Sequence, residues 1–291
     1  MTKITLTNIL LFLDKKRLIT IPDKLFLKLL YKKNIGKKLN FDNPKTFNEK
    51  LQWLKIYDRN PLYVKLVDKY EVRNYIKEKI GEEYLIPLIG VYNRFEDIKF
   101  ELLPNQFVLK CTHDSGGVFV CKDKEKCDFM EMKNKVNKLL KRNFFYQSRE
   151  WPYKEVKHRI IIEKYMQEDG KAELTDYKLM CFNGKVKCTL VCSDRNSKSG
   201  LRKDFYDTNW NRLPFQKHGK NLEHQMPKPE NYELMVQLAE KLAKDFKFLR
   251  VDLYEISGKI YFGELTLYPG AGIEKFEPSE WDEILGSWLE L

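Results

Sequence analysis

Several common chemistries have no foothold in this 291-residue chain. No apolar run approaches the roughly 18 residues a membrane-spanning helix needs. The apolar-rich start, MTKITLTNILLFLDKK, has neither a strong basic leader nor a small-residue cleavage site. It does not read as a secretory signal, so a cytoplasmic location is expected. The six cysteines, at 111, 121, 127, 181, 188 and 192, form no Cys-x-x-Cys pair and have no histidine at zinc-ligand spacing. They read as reduced residues, several alternating with apolar neighbours on strands. The four histidines, at 113, 158, 218 and 224, build no Ser-His-Asp or Cys-His order with a nucleophile elbow. The phosphate-binding loop GxxxxGK[ST] is missing, as are an Asp-x-Asp triplet, internal repeats and a low-complexity linker.

What is present is a globular composition, 43% hydrophobic and 13% aromatic. The net charge is +11, but residues 1–40 hold ten Lys/Arg against Asp14 and Asp23, which is +8 of it. Within that stretch, Pro22 and Asp23 open a short helix running to Lys33. Basic residues beside an apolar face suit an anionic lipid surface or a polyanionic substrate. They equally suit a helix docked on the body with a solvated basic face. No aromatic-basic RNA motif or zinc finger is present, so no nucleic-acid partner is expected.

Residues 46–60 read as an amphipathic helix with Thr46 and Glu49 at capping-box spacing. Residues 61–80 are helical with a break near Asp68, and Gly81 is a plausible stop. Strands are expected at 84–92, 106–111, 117–122, 158–165, 175–183 and 185–192, with helices at 128–143 and 231–247. Asn183-Gly184 marks a hairpin turn. The polar stretch 193–231 reads as a substrate-side loop region, with Arg195, Arg202 and Lys203 placed to hold an anion. Helices among mainly antiparallel hairpins make the class α+β.

Near the C-terminus, LRVDLYEI and KIYFGELTL flank Ser257-Gly258 as a hairpin. Each strand carries one acid, Asp252 and Glu264, and adjacent strands lie about 4.8 Å apart. Two carboxylates on one face can share a divalent cation. Arg250, Thr266 and a Pro-Gly-x-Gly turn complete the constellation. Upstream, Lys110 ends a strand before Ser115-Gly116-Gly117. A strand lysine can reach phosphates as a point charge, and a glycine turn lets backbone N–H groups approach them. Glu163, Lys164, Tyr165 and Met166 close an apolar strand that can wall a purine. Lys69 and Lys178 are further phosphate candidates.

The order of these motifs resembles the ATP-grasp superfamily. DKYEVRNYI, DYKLMCFNG and FGELTLYPGAG are similar to its TupA-like branch, associated with teichuronopeptide and other surface-polysaccharide biosynthesis. The resemblance covers roughly residues 45–280. It implies two α+β lobes enclosing Mg-ATP. Lys69 and Lys110 would meet the phosphates, with Ser115, Gly116 and Gly117 as a flap and Lys178 nearby. Glu163, Lys164, Tyr165 and Met166 would form the adenine hinge, and Glu168 or Asp169 would hold the ribose. Asp252 and Glu264 would ligate magnesium, and Arg250 would stabilise developing negative charge. Thr266 stands where the family pattern has Asn, which favours one ion over two.

The expected organisation is a basic helical extension over 1–45, a helical region over 46–105, a core over 106–280 and a tail over 281–291. The expected reaction is amide formation through an acyl phosphate. The substrates implied are an anionic sugar or polysaccharide precursor and an amine or amino acid. The alternatives are a glycosyltransferase or a non-catalytic module binding polyanions or membranes.

Overall fold

The computed structural model describes residues 5–168, 174–193, 202–217, 221–222 and 224–291. Two N-terminal helices, α1 (Leu6–Lys15) and α2 (Asp23–Ile35), lead into α3 (Phe47–Tyr57), α4 (Leu62–Val67) and α5 (Val72–Lys79). The Thr46–Glu49 capping box is formed in full. The break between α4 and α5 falls at Asp68, whose carboxylate accepts from the Tyr70 and Glu71 amides at 2.8 and 3.3 Å. Asp68 thereby ends one helix and starts the next.

A small lobe follows: β1 (Leu88–Tyr92), β2 (Phe107–Cys111), β3 (Val118–Cys121), α6 (Phe129–Leu140), the short α7 (Phe145–Ser148) and β4 (Ile160–Lys164). Its four-stranded antiparallel sheet runs β1-β4-β2-β3. One face, with Phe107, Leu109, Ile160 and Ile162, packs on Met132 and Val136 of α6. The other face looks into a cleft.

The large lobe holds β5 (Asp176–Phe182), β6 (Lys185–Ser193), β7 (Arg202–Tyr206), β8 (Gln216–Lys217), α8 (Tyr232–Ala243), β9 (Phe248–Ile256), β10 (Lys259–Thr266), β11 (Phe276–Glu277) and α9 (Trp281–Ser287). Five strands run β10-β9-β5-β6-β7, and β8 pairs with β11. Asn183 and Gly184, then Ser257 and Gly258, all take positive φ, as two-residue hairpin turns with the twist of their strands require.

Two expectations need correction. Part of the 193–231 stretch is ordered sheet, because β7 covers an edge of β6 and β8 finds β11; Arg195 and Asp169 lie outside the described residues. The cysteines are not all reduced. Cys121 and Cys127 are joined as a disulfide, the turn after β3 bringing their Cα atoms to 6.3 Å, within bridging range. The other four are buried free thiols.

The basic extension is docked. Arg149, 3% exposed, pairs with Asp14 at 2.7 Å and Asp23 at 2.8 Å and lies 3.9 Å from the Phe26 ring centre. Beneath it Leu11, Phe26, Leu27 and Tyr31 form a core of their own. The outer surface still shows Leu6, Ile9, Phe12 and Leu18 to solvent. Among the described residues no helix is long and apolar enough to cross a membrane.

Candidate active site

The closing hairpin places its acids by an irregularity. Phe262 pairs with Leu253, yet Glu264 pairs with Asp252, so Gly263 is an extra residue in β10. With regular pairing Glu264 would stand opposite Val251, on the core face. A Cβ at Gly263 would lie 3.0 Å from the Asp252 carbonyl oxygen, so glycine relieves a close backbone approach. The bulge thus brings Asp252, Glu264 and Thr266 to the face that also carries Arg250.

That face is densely ion-paired. Arg250 donates to Asp252 at 2.6 and 2.7 Å and to Glu264 at 2.9 Å. Lys178 on β5, in register with Asp252, binds the second Asp252 oxygen and reaches Asp176 at 3.5 Å. The Thr266 hydroxyl donates to Glu264 at 3.4 Å. Asp252 is buried, whereas the Glu264 side chain keeps 46% of its surface. Partial desolvation in the cleft works against ionised Glu264, but Arg250, Lys178 and Lys69 outweigh it and hold the carboxyl at about 2. Burial disfavours the Arg250 charge too, and Asp252 with Glu264 more than restores it.

Across the cleft, Lys110 on β2 and Glu163 on β4 share the open face of the small sheet and pair at 2.6 Å. Glu163 also takes Arg73 of α5 at 3.0 Å. Lys69, just after α4, sends its ammonium to the Asp114 carbonyl at 2.5 Å. Burial lowers its pKa, with Glu264 opposing and Lys110 assisting. Lys69, Lys110, Glu163 and Glu264 therefore line one cleft between the lobes. Its enclosed volume is about 30 Å³, against roughly 300 Å³ at the lower end of small-molecule sites.

The glycine loop is pinned on one side and free at its tip. The Asp114 carboxylate is gripped by Arg142, and buried His113 stacks on His158 with ring centres 3.8 Å apart. Ser115 and Gly116 are exposed, and Gly116 has φ +90° with open space where a side chain would be. Gly117 is buried, its Cβ position 3.1 Å from Leu139. Lys164 is exposed at the end of β4, while Tyr165 and Met166 are half-buried, Tyr165 lying under the Lys122 ammonium at 5.9 Å. The structure thus gathers Lys69, Lys110, Glu163, Lys178, Arg250, Asp252, Glu264 and Thr266, whereas Ser115, Gly116, Gly117, Lys164, Tyr165 and Met166 do not line the cleft, Lys164 sharing the sheet face that packs on α6.

Sequence reading gave Arg73 no role, although it lies in the family-like segment DKYEVRNYI; its partner Glu163 is 90 residues away in the chain. That reading also missed the clamp on the Pro-Gly-x-Gly turn. Gly270, Ala271 and Gly272 all take positive φ, and Gln52 and buried Lys55 donate to the Ala271 carbonyl at 3.0 and 2.8 Å. Burial brings the Lys55 pKa down to about 8, with nearby Glu150 opposing.

The donors on the hairpin face are all oxygen, as magnesium requires, and two carboxylates suffice where phosphate oxygens complete the shell. Among the described residues no group of three His, Cys, Asp or Glu could hold a metal alone. In this structure the carboxylates bind the Arg250 guanidinium and the Lys178 ammonium.

No curated protein matches the chain. Among similar solved structures is the D-alanine–D-alanine ligase of Bacillus anthracis complexed with ATP, 17% identical over 70% of this chain and 55% of that one, with a TM-score of 0.41. The corresponding ligase of Helicobacter pylori is 15% identical, with 79% and 62% covered and a TM-score of 0.42. The ATP-grasp ligase PsnB, complexed with a precursor variant, Mg and ADP, is 9% identical, with 75% and 57% covered and a TM-score of 0.42. The chain spans little more than half the length of the Bacillus anthracis ligase. The TupA-like ATP-grasp family model matches residues 49–290, and the chain belongs to that family.

Proposed function

We propose that this chain is an ATP-dependent carboxylate–amine ligase. The observation that carries the reading is the convergence of Lys69, Lys110, Glu163 and Glu264 on one inter-lobe cleft that ends at Arg250, Asp252 and Lys178. An acceptor carboxylate oxygen attacks the γ-phosphorus of ATP, releasing ADP and leaving an acyl phosphate. An amine nitrogen then attacks the acyl carbon, phosphate departs with the bonding pair, and the amine loses a proton. Lys69 and Lys110 offset phosphate charge. Arg250 faces the oxygen that gains charge as the amine adds. Asp252 and Glu264, with the Thr266 hydroxyl, would hold magnesium, which supplies positive charge against the phosphate oxygens. No protein nucleophile is needed, in keeping with the missing triad.

Family membership supports a uronic acid or amino-acid unit of a surface polysaccharide precursor as acceptor. The exposed Leu6, Ile9, Phe12 and Leu18, bordered by Lys15, Lys16 and Arg17, support peripheral contact with an anionic membrane. Vesicles containing phosphatidylserine should bind the full chain in low salt and release it in high salt; binding indifferent to salt would remove that contact.

The central test is thermal stabilisation by Mg-ATP. Wild type should gain several degrees, and Asp252→Asn and Glu264→Gln should each lose the magnesium-dependent part. ADP release should require both a carboxylate and an amine. Turnover of UDP-sugars without ATP would replace the ligase with a glycosyltransferase.

A further inference from the structure

A second cavity, of about 210 Å³, opens on the same face of the five-stranded sheet, on the far side of Arg250 from the inter-lobe cleft. Its floor follows from strand register. Met180 pairs with Arg250 on β9, Lys178 with Leu190 on β6, Leu190 with Phe205 and Cys192 with Lys203 on β7. Side chains at these positions share one face, opposite the one α8 covers. The floor is therefore apolar in the middle, with Met180, Leu190 and Phe205, and cationic at both ends. Arg250 and Lys178 stand at one end, and Lys203 with Lys217 at the other. Pro269 and Gly270 of the clamped turn complete the wall.

The two ends differ in how their charge is balanced. Arg250 and Lys178 are paired to Asp252 and Glu264. Lys217, 5% exposed, is paired to Glu274 at 2.8 Å. Lys203 makes no ion pair with any described residue; the Lys217 pKa is lowered by burial first, with Glu274 opposing and the charges of Arg250 and then Lys203 adding to the fall. Buried Lys217 thus has one carboxylate, and beside it half-buried Lys203 adds a positive charge that no described residue pairs.

We infer that the acceptor carries a second anionic group, carboxylate or phosphate, bound at Lys203 and Lys217 while its reacting carboxylate lies at Arg250. This rests on the ligase reading, since it is the shared Arg250 that makes the cavity an acceptor site. The apolar middle of the floor takes the skeleton between the two charges. A divalent cation on Asp252 and Glu264 would release Arg250 and Lys178 toward the cavity, so the acceptor should bind more tightly after the metal-nucleotide.

Three probes on one carbon skeleton test this by calorimetry on the full chain, with and without magnesium and a non-hydrolysable ATP analogue. Glucuronate has one anionic group, glucarate has two carboxylates, and glucuronate 1-phosphate has a carboxylate and a phosphate. At least one dianion should bind about tenfold more tightly than glucuronate, and which one identifies the second group. Lys203→Gln should abolish that preference while analogue binding persists, and Lys217→Gln combined with Glu274→Gln should do the same without leaving a buried charge unpaired. Lys141→Gln, an exposed lysine elsewhere, should leave the preference intact. Equal binding of all three probes, or a preference that survives Lys203→Gln, overturns the inference while analogue binding leaves the ligase reading standing. If the analogue fails to bind, the ligase reading falls, and the probes alone still decide whether the cavity selects dianions through Lys203.

Discussion

The two lobes that face each other across the cleft are held in place by different forces. Among the described residues, the large lobe and the helices packed on it share one core of 42 buried hydrophobic residues, while the small lobe has a core of 11. The small lobe is seated on the body instead by ion pairs and polar anchors: Arg73 to Glu163, Lys69 to the Asp114 carbonyl, and Arg159 to Asp68 at 2.7 Å and Glu71 at 2.8 Å. Apolar packing is not undone by a ligand's charge. Ion pairs can be exchanged for pairs with a charged ligand, so the seating of the small lobe is the more open to change by charge.

Apolar deletion in the large core should cost most. Phe182 packs against Phe47, Phe248 and Trp288 with ring centres 5.1 to 5.6 Å apart. Phe182→Ala should cost about 3–5 kcal/mol and lower the single unfolding transition as a whole. A loss confined to a few amides in hydrogen exchange would break the comparison.

Acid should act next, and on the small lobe. Burial, aided by His158, brings the His113 pKa from 6.5 down to about 4, despite an opposing bond to the Leu139 carbonyl. Between those values the unfolded chain binds the proton and the folded chain does not, so stability falls as pH drops from 6.5 toward 4. The full effect is about 3 kcal/mol at 1.36 kcal/mol per pH unit. His113→Phe should flatten that part of a pH–stability curve, and an unchanged slope would assign it to other groups.

Glu163→Gln should have the smallest effect on overall stability, about 1–3 kcal/mol, because the amide still fills the site while Arg73 and Lys110 lose their countercharge. Exchange should quicken in β2 and β3 while β5, β6 and β9 stay protected. Equal quickening in both sheets would mean that the lobes are seated alike.

How much of this was legible depended on whether the signal was local. Capping by Thr46 and Glu49, the break at Asp68, and the Asn183-Gly184 and Ser257-Gly258 turns are settled by neighbouring residues, and all four stand where the sequence puts them. The candidate-site residues on strands were legible because lysines and acids interrupt apolar alternation. Lys217 and Glu274 were not, since 57 residues separate them and only the β8–β11 pairing brings them together. β7 was hidden because RKDFY lacks an alternating pattern and gains its strand form by covering the edge of β6. The register break at Gly263 did leave a trace: Ile260 and Phe262 are buried two apart, then Leu265 and Leu267, with the phase shifted by one between them.

That shift separates two properties that usually vary together. β10 has one residue more than its partner needs, and the bulge that absorbs it keeps Glu264 on the side of Asp252. A relative shortened at Gly263 would keep both acids on one side, with a flatter strand. A relative with one further insertion and no second bulge would keep its hairpin and core but present Glu264 to the hydrophobic interior. Strand length and the presence of the bulge together set the side on which the glutamate stands, so both must be read in a homologue before any side chain is compared.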